Sequence, residues 1–295
     1  MKHFLSIDDL THRDVLGLIQ HALSFKTHEM VHRQSSQILC PLFYENSTRT
    51  RMSFELAARQ LGMMVVGFDV QASSNSKGES LLDTLRTLEA MGVGIGVIRH
   101  SESGVLHALA SQMDGVMHLV NAGDGQNEHP TQALLDLMTI MQQKPDLHAL
   151  NIVVVGNVRH SRVAHSFQRL CALMGVQSLV FACPKVWEPQ APYFGEVTQD
   201  LDAVLQNADV VMSLRVQQER LQSHEKLDLM DYREDYGLTA KRLKHMKSDV
   251  MILHPGPINR GVEIDDAVAD GPNSSILQQV QNGVCMRMAI LDWLD

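Results

Sequence analysis

Short apolar runs alternate with amphipathic segments along the chain. In the first half, runs of buried-strand length occupy residues 38–44, 64–69, 93–99 and 115–121. Apolar residues recur at helical spacing over residues 50–61, 80–91, 104–112 and 131–143, and a proline at position 145 stops the last of these predicted helices. This alternation is typical of a parallel sheet whose strands are connected by helices.

The alternation starts again after Pro145. Strands are predicted at residues 151–156, 178–183, 209–214 and 249–253, and helices at residues 161–174, 239–246 and 275–294. The sequence therefore predicts an α/β fold of two doubly wound parallel-sheet domains with a cleft between them. One domain comprises residues 1–145 with the C-terminal helix 275–295, and the other comprises residues 146–274. Ligands of such sheets bind at the carboxyl ends of the strands.

Composition excludes some partners. The 295 residues carry a formal net charge of −9, which disfavours binding to nucleic acid or to an anionic membrane surface. A small anionic substrate is still allowed, because it responds only to the residues that line its pocket.

The four cysteines are scattered through apolar runs without a C-x-x-C pair, which predicts reduced core residues. No apolar run is long enough for a signal peptide or a membrane span, so a cytoplasmic protein is expected. These cysteines are Cys40, Cys171, Cys183 and Cys285.

Residues 47–51, with the sequence STRTR, lie between a predicted strand and a predicted helix. Asn46 or Ser47 is suited to cap that helix, which places Arg49 and Arg51 in or near its first turn. Free backbone N–H groups and the helix dipole favour an anion there. The segment predicts a phosphate site, although a capped surface helix with solvated arginines explains it as well.

Five other polar segments follow predicted strands or open predicted helices. Any one of them could be an ordinary surface loop, but their common position at strand ends favours a binding site. They are the lysine loop 73–79, Arg99 with His100, the glycine-containing loop 123–132, residues 159–162, and residues 215–217.

Two motifs point elsewhere and are weaker. Residues 28–32 match the zinc-protease pattern H-E-x-x-H, but no convincing third ligand accompanies them in a chain with fifteen histidines. Residues 153–157 begin like a dinucleotide-binding turn, but they lack G-x-G-x-x-G and the expected acidic residue. We therefore expect neither a metal nor a nucleotide cofactor.

The chain also resembles the aspartate/ornithine carbamoyltransferase family over nearly its whole length, and within it the catalytic chains of aspartate carbamoyltransferases. Ornithine enzymes usually carry H-C-L-P where this chain has HPGP at residues 254–257, which favours aspartate. The segments that carry the resemblance are FYENSTRTRMSFELAARQLG (43–62), KGESLLDTLRTL (77–88), NAGDGQNEHPTQALLDL (121–137), LRVQQER (214–220) and ILHPGPINRGVEI (252–264).

The resemblance implies transfer of a carbamoyl group from carbamoyl phosphate to L-aspartate, in de novo pyrimidine synthesis. The first domain would bind carbamoyl phosphate and the second aspartate. No covalent intermediate is needed, because phosphate is a good leaving group and can accept the proton of the amine. The implied carbamoyl phosphate ligands are Ser47, Thr48, Arg49 and Thr50 for the phosphate, Thr50, Arg99 and His129 for the carbonyl oxygen, and Gln132 with the backbone carbonyls of Gly256 and Pro257 for the NH₂ group.

For aspartate, the resemblance implies two guanidinium groups, Arg162 and Arg215, with Gln217 beside the latter. Lys77 would contact both substrates. In the family, the lysine loop with Ser73 reaches into a neighbouring subunit, so a homotrimer with shared sites is expected. The implied catalytic residues are Arg49, Thr50, Lys77, Arg99 and His129.

Two alternatives stay open at this point. The first is a carbamoyltransferase that uses another amino acid as the acceptor. The second is a non-catalytic homologue with a structural or regulatory role, which the complete set of polar site residues disfavours. Regulatory or dihydroorotase-like chains are further candidate partners.

Overall fold

The computed structural model describes residues 3–27, 35–70, 78–113, 115–218 and 221–295. The chain divides into two compact units. Unit 1 is Met1–Leu134 with Gln281–Asp295, and unit 2 is Leu135–Val280. Both divisions fall inside helices, whereas the sequence placed the domain boundaries at Pro145 and before residue 275. No helix within the described residues is both long and apolar enough to cross a membrane.

The elements follow the alternation predicted from the sequence. The strands are β1 (Ile38–Phe43), β2 (Met64–Val65), β3 (Ile95–His100), β4 (His118–Asp124), β5 (Asn151–Val155), β6 (Ser178–Ala182), β7 (Glu196–Thr198), β8 (Val210–Ser213) and β9 (Met251–Leu253). The helices are α1 (His12–Lys26), α2 (Thr48–Gln60), α3 (Leu81–Ala90), α4 (Val105–Ala110), α5 (Pro130–Gln143), α6 (Arg162–Met174), α7 (Leu201–Leu205), α8 (Leu229–Tyr236), α9 (Ala240–Leu243), α10 (Asp266–Ala269) and α11 (Ile276–Leu294).

Each unit contains one parallel sheet. The sheet of unit 1 has the order β2-β1-β3-β4, and the sheet of unit 2 has the order β7-β6-β5-β8-β9. Central strands such as β5 and β8 are almost completely buried, as expected for parallel strands covered on both faces. The predicted class of two parallel-sheet α/β domains is confirmed.

Some predicted elements differ in extent. The strand expected over residues 64–69 forms only at Met64–Val65, where it pairs with the single neighbour β1. The last hydrogen bond between β2 and β1 runs from the N–H of Val66 to the carbonyl of Leu39. The prediction also lacked α1, which begins at a capping box between Thr11 and Asp14.

The predicted burial of the cysteines is confirmed for Cys40, Cys171 and Cys183, while Cys285 is half-buried. Burial raises the pKa of Cys40 to about 11 and that of Cys183 to about 12. These thiols are therefore protonated near neutral pH and serve as small apolar core residues.

An N-terminal segment covers the outer edge of β4. The N–H of Phe4 donates to the carbonyl of Leu119, and the N–H of Asn121 donates to the carbonyl of Phe4. The buried carboxylate of Glu128 accepts from the Ser6 hydroxyl at 2.5 Å and from the N–H of Ile7 at 3.1 Å. The segment thereby protects a sheet edge and holds the loop that leads into α5.

We predict that Glu128→Gln destabilises the protein, because an amide supplies one acceptor oxygen where the carboxylate supplies two. A buried donor then loses its partner, which lowers the free energy of unfolding by about 1–3 kcal/mol. Urea unfolding measures the effect. The control Glu102→Gln alters an exposed carboxylate and should change stability by less than about 0.5 kcal/mol. Equal effects of the two variants would contradict the role of Glu128.

Candidate functional site

In unit 1, β1 and β3 lie on the two sides of the topological switch point of the sheet, since the chain proceeds from β1 to β2 in one direction and from β3 to β4 in the other. Phe43 at the end of β1 pairs in register with Arg99. The N–H of Tyr44 also donates to the carbonyl of Arg99 at 2.9 Å. The register therefore brings the segment after β1 beside the end of β3.

The segment after β1 forms the start of α2. Ser47 is the N-cap, with extended backbone angles (φ −158°, ψ 106°), which agrees with the sequence-based choice of Asn46 or Ser47. Within the described part of the chain, the Ser47 side chain makes no capping hydrogen bond to the helix. Thr48 and Arg49 are exposed and Thr50 is buried. The first N–H groups of α2 can therefore donate to an external anion.

Arg99 is held in place by one residue that follows β1 and by another in β4. Its Nε lies 3.1 Å from Oε2 of Glu45, and its Nη1 donates to the carbonyl of Ala122 at 3.3 Å. The side chain is 11% exposed, and a guanidinium has further N–H groups with which it can contact a substrate. Sequence reasoning missed Glu45, because its contact with Arg99 depends on the pairing of β1 with β3.

His129 and Gln132 lie at the start of α5 and are both buried. The N–H of Gln132 donates to the carbonyl of His129 at 3.0 Å, so the two residues share one turn. The preceding loop is held by Asp124, whose carboxylate accepts from the N–H of Gly104 at 2.9 and 3.0 Å. These contacts fix His129 at the carboxyl end of β4.

Arg287 is a buried cation of unit 1 that sequence reasoning missed. Its guanidinium carbon lies 5.0 Å from the centre of the Phe54 ring in α2, and its Nη2 lies 3.5 Å from Oγ1 of Thr131 in α5. It therefore adds positive charge beside α2 and α5, the helices whose starts carry the predicted phosphate and carbonyl ligands. No local pattern marked this residue, because it lies inside an apolar helix far along the chain.

In unit 2, β5 and β8 flank the switch point of the second sheet. The segments that follow β5, β8 and β9 surround a small cavity of about 60 Å³. Arg215, Gln217 and Gly256 all contribute to its walls, together with Asn157, His160 and Ser161. The structure thus brings three predicted site residues of this unit together. Pro257 follows Gly256 through a cis peptide bond and is exposed.

Arg162 is the first residue of α6 and is buried. It directly follows Ser161, which lines the cavity and caps the helix by accepting from the N–H of Ala164 at 3.2 Å. Arg162 is not one of the residues that line the cavity, but its chain neighbours Ser161 and Val163 are.

His160 is paired with a carboxylate that sequence reasoning missed. Its Nε2 lies 3.2 Å from Oε1 of Glu225. Burial lowers the pKa of His160, and the charge of Glu225 offsets part of that effect. The N–H of Gln222 donates to Glu225 and holds the pKa of that carboxyl below its usual range.

Two motifs discussed above lie outside the described residues. They are the lysine loop up to Lys77, including Ser73, and the H-E-x-x-H segment at residues 28–32.

Each unit therefore places arginines with hydroxyl or amide groups at the carboxyl edge of its own parallel sheet, an arrangement in an α/β protein that is suited to small anions. The chain belongs to the aspartate/ornithine carbamoyltransferase family. The model of the carbamoyl-phosphate-binding domain of that family matches residues 2–142, and the model of its aspartate/ornithine-binding domain matches residues 148–294.

Full-length relatives carry more specific names. The chain is 52% identical over 294 residues to the aspartate carbamoyltransferase catalytic subunit of Legionella pneumophila (strain Corby), covering 100% of this chain and 99% of the relative. It is 43% identical over 303 residues to the subunit of that name from Stenotrophomonas maltophilia (strain K279a), covering 100% and 96%. A crystal structure of aspartate transcarbamoylase from Trypanosoma cruzi in complex with carbamoyl aspartate and phosphate matches with a TM-score of 0.89 and 30% identity, covering 98% and 95%.

Proposed function

We propose that this protein is the catalytic chain of an aspartate carbamoyltransferase, which forms N-carbamoyl-L-aspartate and phosphate from carbamoyl phosphate and L-aspartate. The observation that carries the proposal is the pair of anion-binding residue sets, one at the switch point of each sheet, in a chain similar over its full length to enzymes of that name. This reaction is an early step of de novo pyrimidine synthesis.

Most of the residues that bind carbamoyl phosphate belong to unit 1. The start of α2, with Ser47, Thr48, Arg49 and Thr50, holds the phosphate through N–H, hydroxyl and guanidinium donors. This assignment is supported by the Ser47 side chain, which makes no capping bond to the helix among the described residues. Gln132 and the backbone carbonyls of Gly256 and Pro257 take the carbamoyl NH₂ group.

The reaction needs stabilisation of a developing oxyanion. The amine of aspartate attacks the carbonyl carbon, a C–N bond forms, the C–O bond to phosphate breaks, and the amine proton passes to the leaving phosphate. Thr50, Arg99 and His129 donate to the carbonyl oxygen as its negative charge grows. Removal of one such donor costs about 3–4 kcal/mol, or about 10²–10³ in rate. Lys77 is a further positively charged residue, and it contacts both substrates.

Unit 2 binds the acceptor. Arg215 and Gln217 line one cavity, and Arg162 lies at the helix start beside its wall. Guanidinium groups bind carboxylates through paired hydrogen bonds, and aspartate presents two carboxylates. The two arginines together therefore suit a dicarboxylic acceptor.

The assembly belongs to the same proposal. The chain forms a cytoplasmic homotrimer in which Lys77 of one subunit completes the site of its neighbour, and regulatory or dihydroorotase-like chains are further candidate partners of that trimer.

An acceptor panel tests the function. The purified protein is mixed with carbamoyl phosphate and, separately, with aspartate, glutamate, ornithine and asparagine, and the carbamoylated products are identified by mass spectrometry. We expect N-carbamoyl-aspartate alone, and we expect His129→Ala to lower the rate by about 10²–10³. Carbamoylation of ornithine instead of aspartate would select the other branch of the family, and no product with any acceptor would support a non-catalytic homologue.

We predict that Arg162→Ala and Arg215→Ala each weaken the use of aspartate. A lost charge-assisted bond of about 1.5–3 kcal/mol raises the KM for aspartate by about one to two orders of magnitude. The KM for carbamoyl phosphate should change little, and steady-state kinetics with each substrate varied in turn measures both values. Arg242→Ala is the matched control, because this arginine of unit 2 is already paired with Asp202 at 2.7 Å. Equal effects on both substrates would refute the assignment of these arginines to aspartate.

Subunit mixing tests the shared site. Arg49→Ala and Lys77→Ala trimers should each be nearly inactive. Dissociation and random remixing in equal amounts give about three quarters mixed trimers with one intact site each, so activity should return to about a quarter of the wild-type value. Each variant carried through the procedure alone is the control. No recovery on mixing would show that both residues serve a site within one chain.

A further inference from the structure

A single buried carboxylate joins three segments of unit 2. Glu263 is fully buried, and its Oε1 accepts from the N–H of Asn259 at 2.6 Å. Its Oε2 accepts from the N–H of Val216 at 3.4 Å, and the Nε2 of His254 lies 3.2 Å from Oε1. The segments that follow β8 and β9 and the loop before α10 are therefore tied to one side chain.

His254 extends this connection to the proposed carbamoyl ligands. The N–H of Gly256 donates to Nδ1 of His254 at 2.8 Å, so Nδ1 carries the lone pair and Nε2 carries the proton. That proton points to Glu263. Gly256 has a φ of 66°, a left-handed conformation that glycine adopts without strain. The imidazole thus connects the turn at Gly256 to the carboxylate of Glu263 through one hydrogen bond on each ring nitrogen.

Asn259 extends the same connection to Arg215. Its Nδ2 donates to the carbonyl of Val216 at 3.0 Å, and because a carbonyl oxygen can only accept, this bond fixes which end of the amide is the NH₂ group and which is the oxygen. The oxygen Oδ1 lies 3.5 Å from Nε of Arg215 and accepts its N–H. The orientation of the guanidinium is therefore coupled to the backbone through Asn259 and Glu263.

We propose that Asn259 and Glu263 are positioning residues for acceptor recognition. Asn259 orients the guanidinium of Arg215, and Glu263 holds Asn259 in place; through His254, Glu263 also holds the Gly256 turn. The inference rests on the proposed function and adds residues that are not among the proposed substrate ligands. A guanidinium oriented in advance loses less side-chain entropy when a carboxylate binds, so these residues strengthen binding of the acceptor.

Substitution of Asn259 separates positioning from folding. Asn259→Ala should raise the KM for aspartate about tenfold, leave kcat within about threefold and leave the KM for carbamoyl phosphate unchanged. The matched control is Asn273→Ala, because Asn273 is equally half-buried and its Nδ2 donates to the carbonyls of Ser248 and Val250, both at 2.9 Å. Asn273→Ala should lower the melting temperature without changing the KM for aspartate. Equal kinetic effects of the two variants would overturn the proposal.

Conservative variants test the two hydrogen-bond acceptors, which are the amide oxygen of Asn259 and the carboxylate of Glu263. Asn259→Asp keeps an oxygen for Arg215, so its KM for aspartate should lie closer to the wild-type value than that of Asn259→Ala. Glu263→Gln keeps the side-chain volume but loses one acceptor, and it should also raise the KM for aspartate. An Asn259→Asp enzyme as impaired as Asn259→Ala would count against the orienting role of the oxygen.

A spectroscopic signal distinguishes failure of this inference from failure of the proposed function. The ¹⁵N-labelled Nε–H of Arg215, assigned with Arg215→Lys, should shift in Asn259→Ala and stay unchanged in Asn273→Ala. If the wild-type protein does not carbamoylate aspartate, the proposed function fails, and this signal still decides whether Asn259 orients Arg215. An unmoved signal in Asn259→Ala overturns the inference even in an active enzyme.

Discussion

Parallel pairing of the strands at the two switch points is the constraint on which the candidate site depends. Because β1 and β3 run in the same direction, their carboxyl ends meet at one edge, and the pairing of Phe43 with Arg99 sets the distance between the proposed phosphate-binding turn and the arginine. The pairing of β5 with β8 does the same in unit 2, where Val155 lies opposite Ser213. A slip in either register would separate residues that are proposed to act on one substrate.

The loops at these edges share one feature, which is a carboxylate that accepts hydrogen bonds from backbone N–H groups. Asp124 accepts from Gly104, Glu128 from Ile7, Glu225 from Gln222, and Glu263 from Asn259 and Val216. Bonds from N–H groups to a charged acceptor are stronger than those between neutral groups, so they hold irregular backbone firmly. These acidic residues contribute to the net charge of −9, yet their carboxylates face the protein's own backbone. The overall charge therefore says little about the potential that a bound anion experiences.

Cationic groups at the site are likewise held by the protein before any substrate binds. Arg99 is paired with Glu45, Arg215 with the amide of Asn259, and Arg287 lies against Phe54. Each contact restricts a long side chain that would otherwise lose rotamer freedom on binding. Orientation of charge, more than its amount, is what the surrounding residues supply.

The sequence by itself determined the α/β class, the number of parallel sheets, the start of α2 at Asn46 or Ser47 and the burial of three of the four cysteines, because hydrophobic periodicity and capping act over a few neighbouring residues. The motifs also identified candidate residues such as Arg99, Arg215 and Gln217. Only the tertiary structure decided that Glu45 pairs with Arg99, that Glu225 pairs with His160, and that Glu263 joins the loops around Arg215. These contacts join residues on different segments through strand register and helix packing. Their partners carry no local pattern, so only the folded chain brings them together.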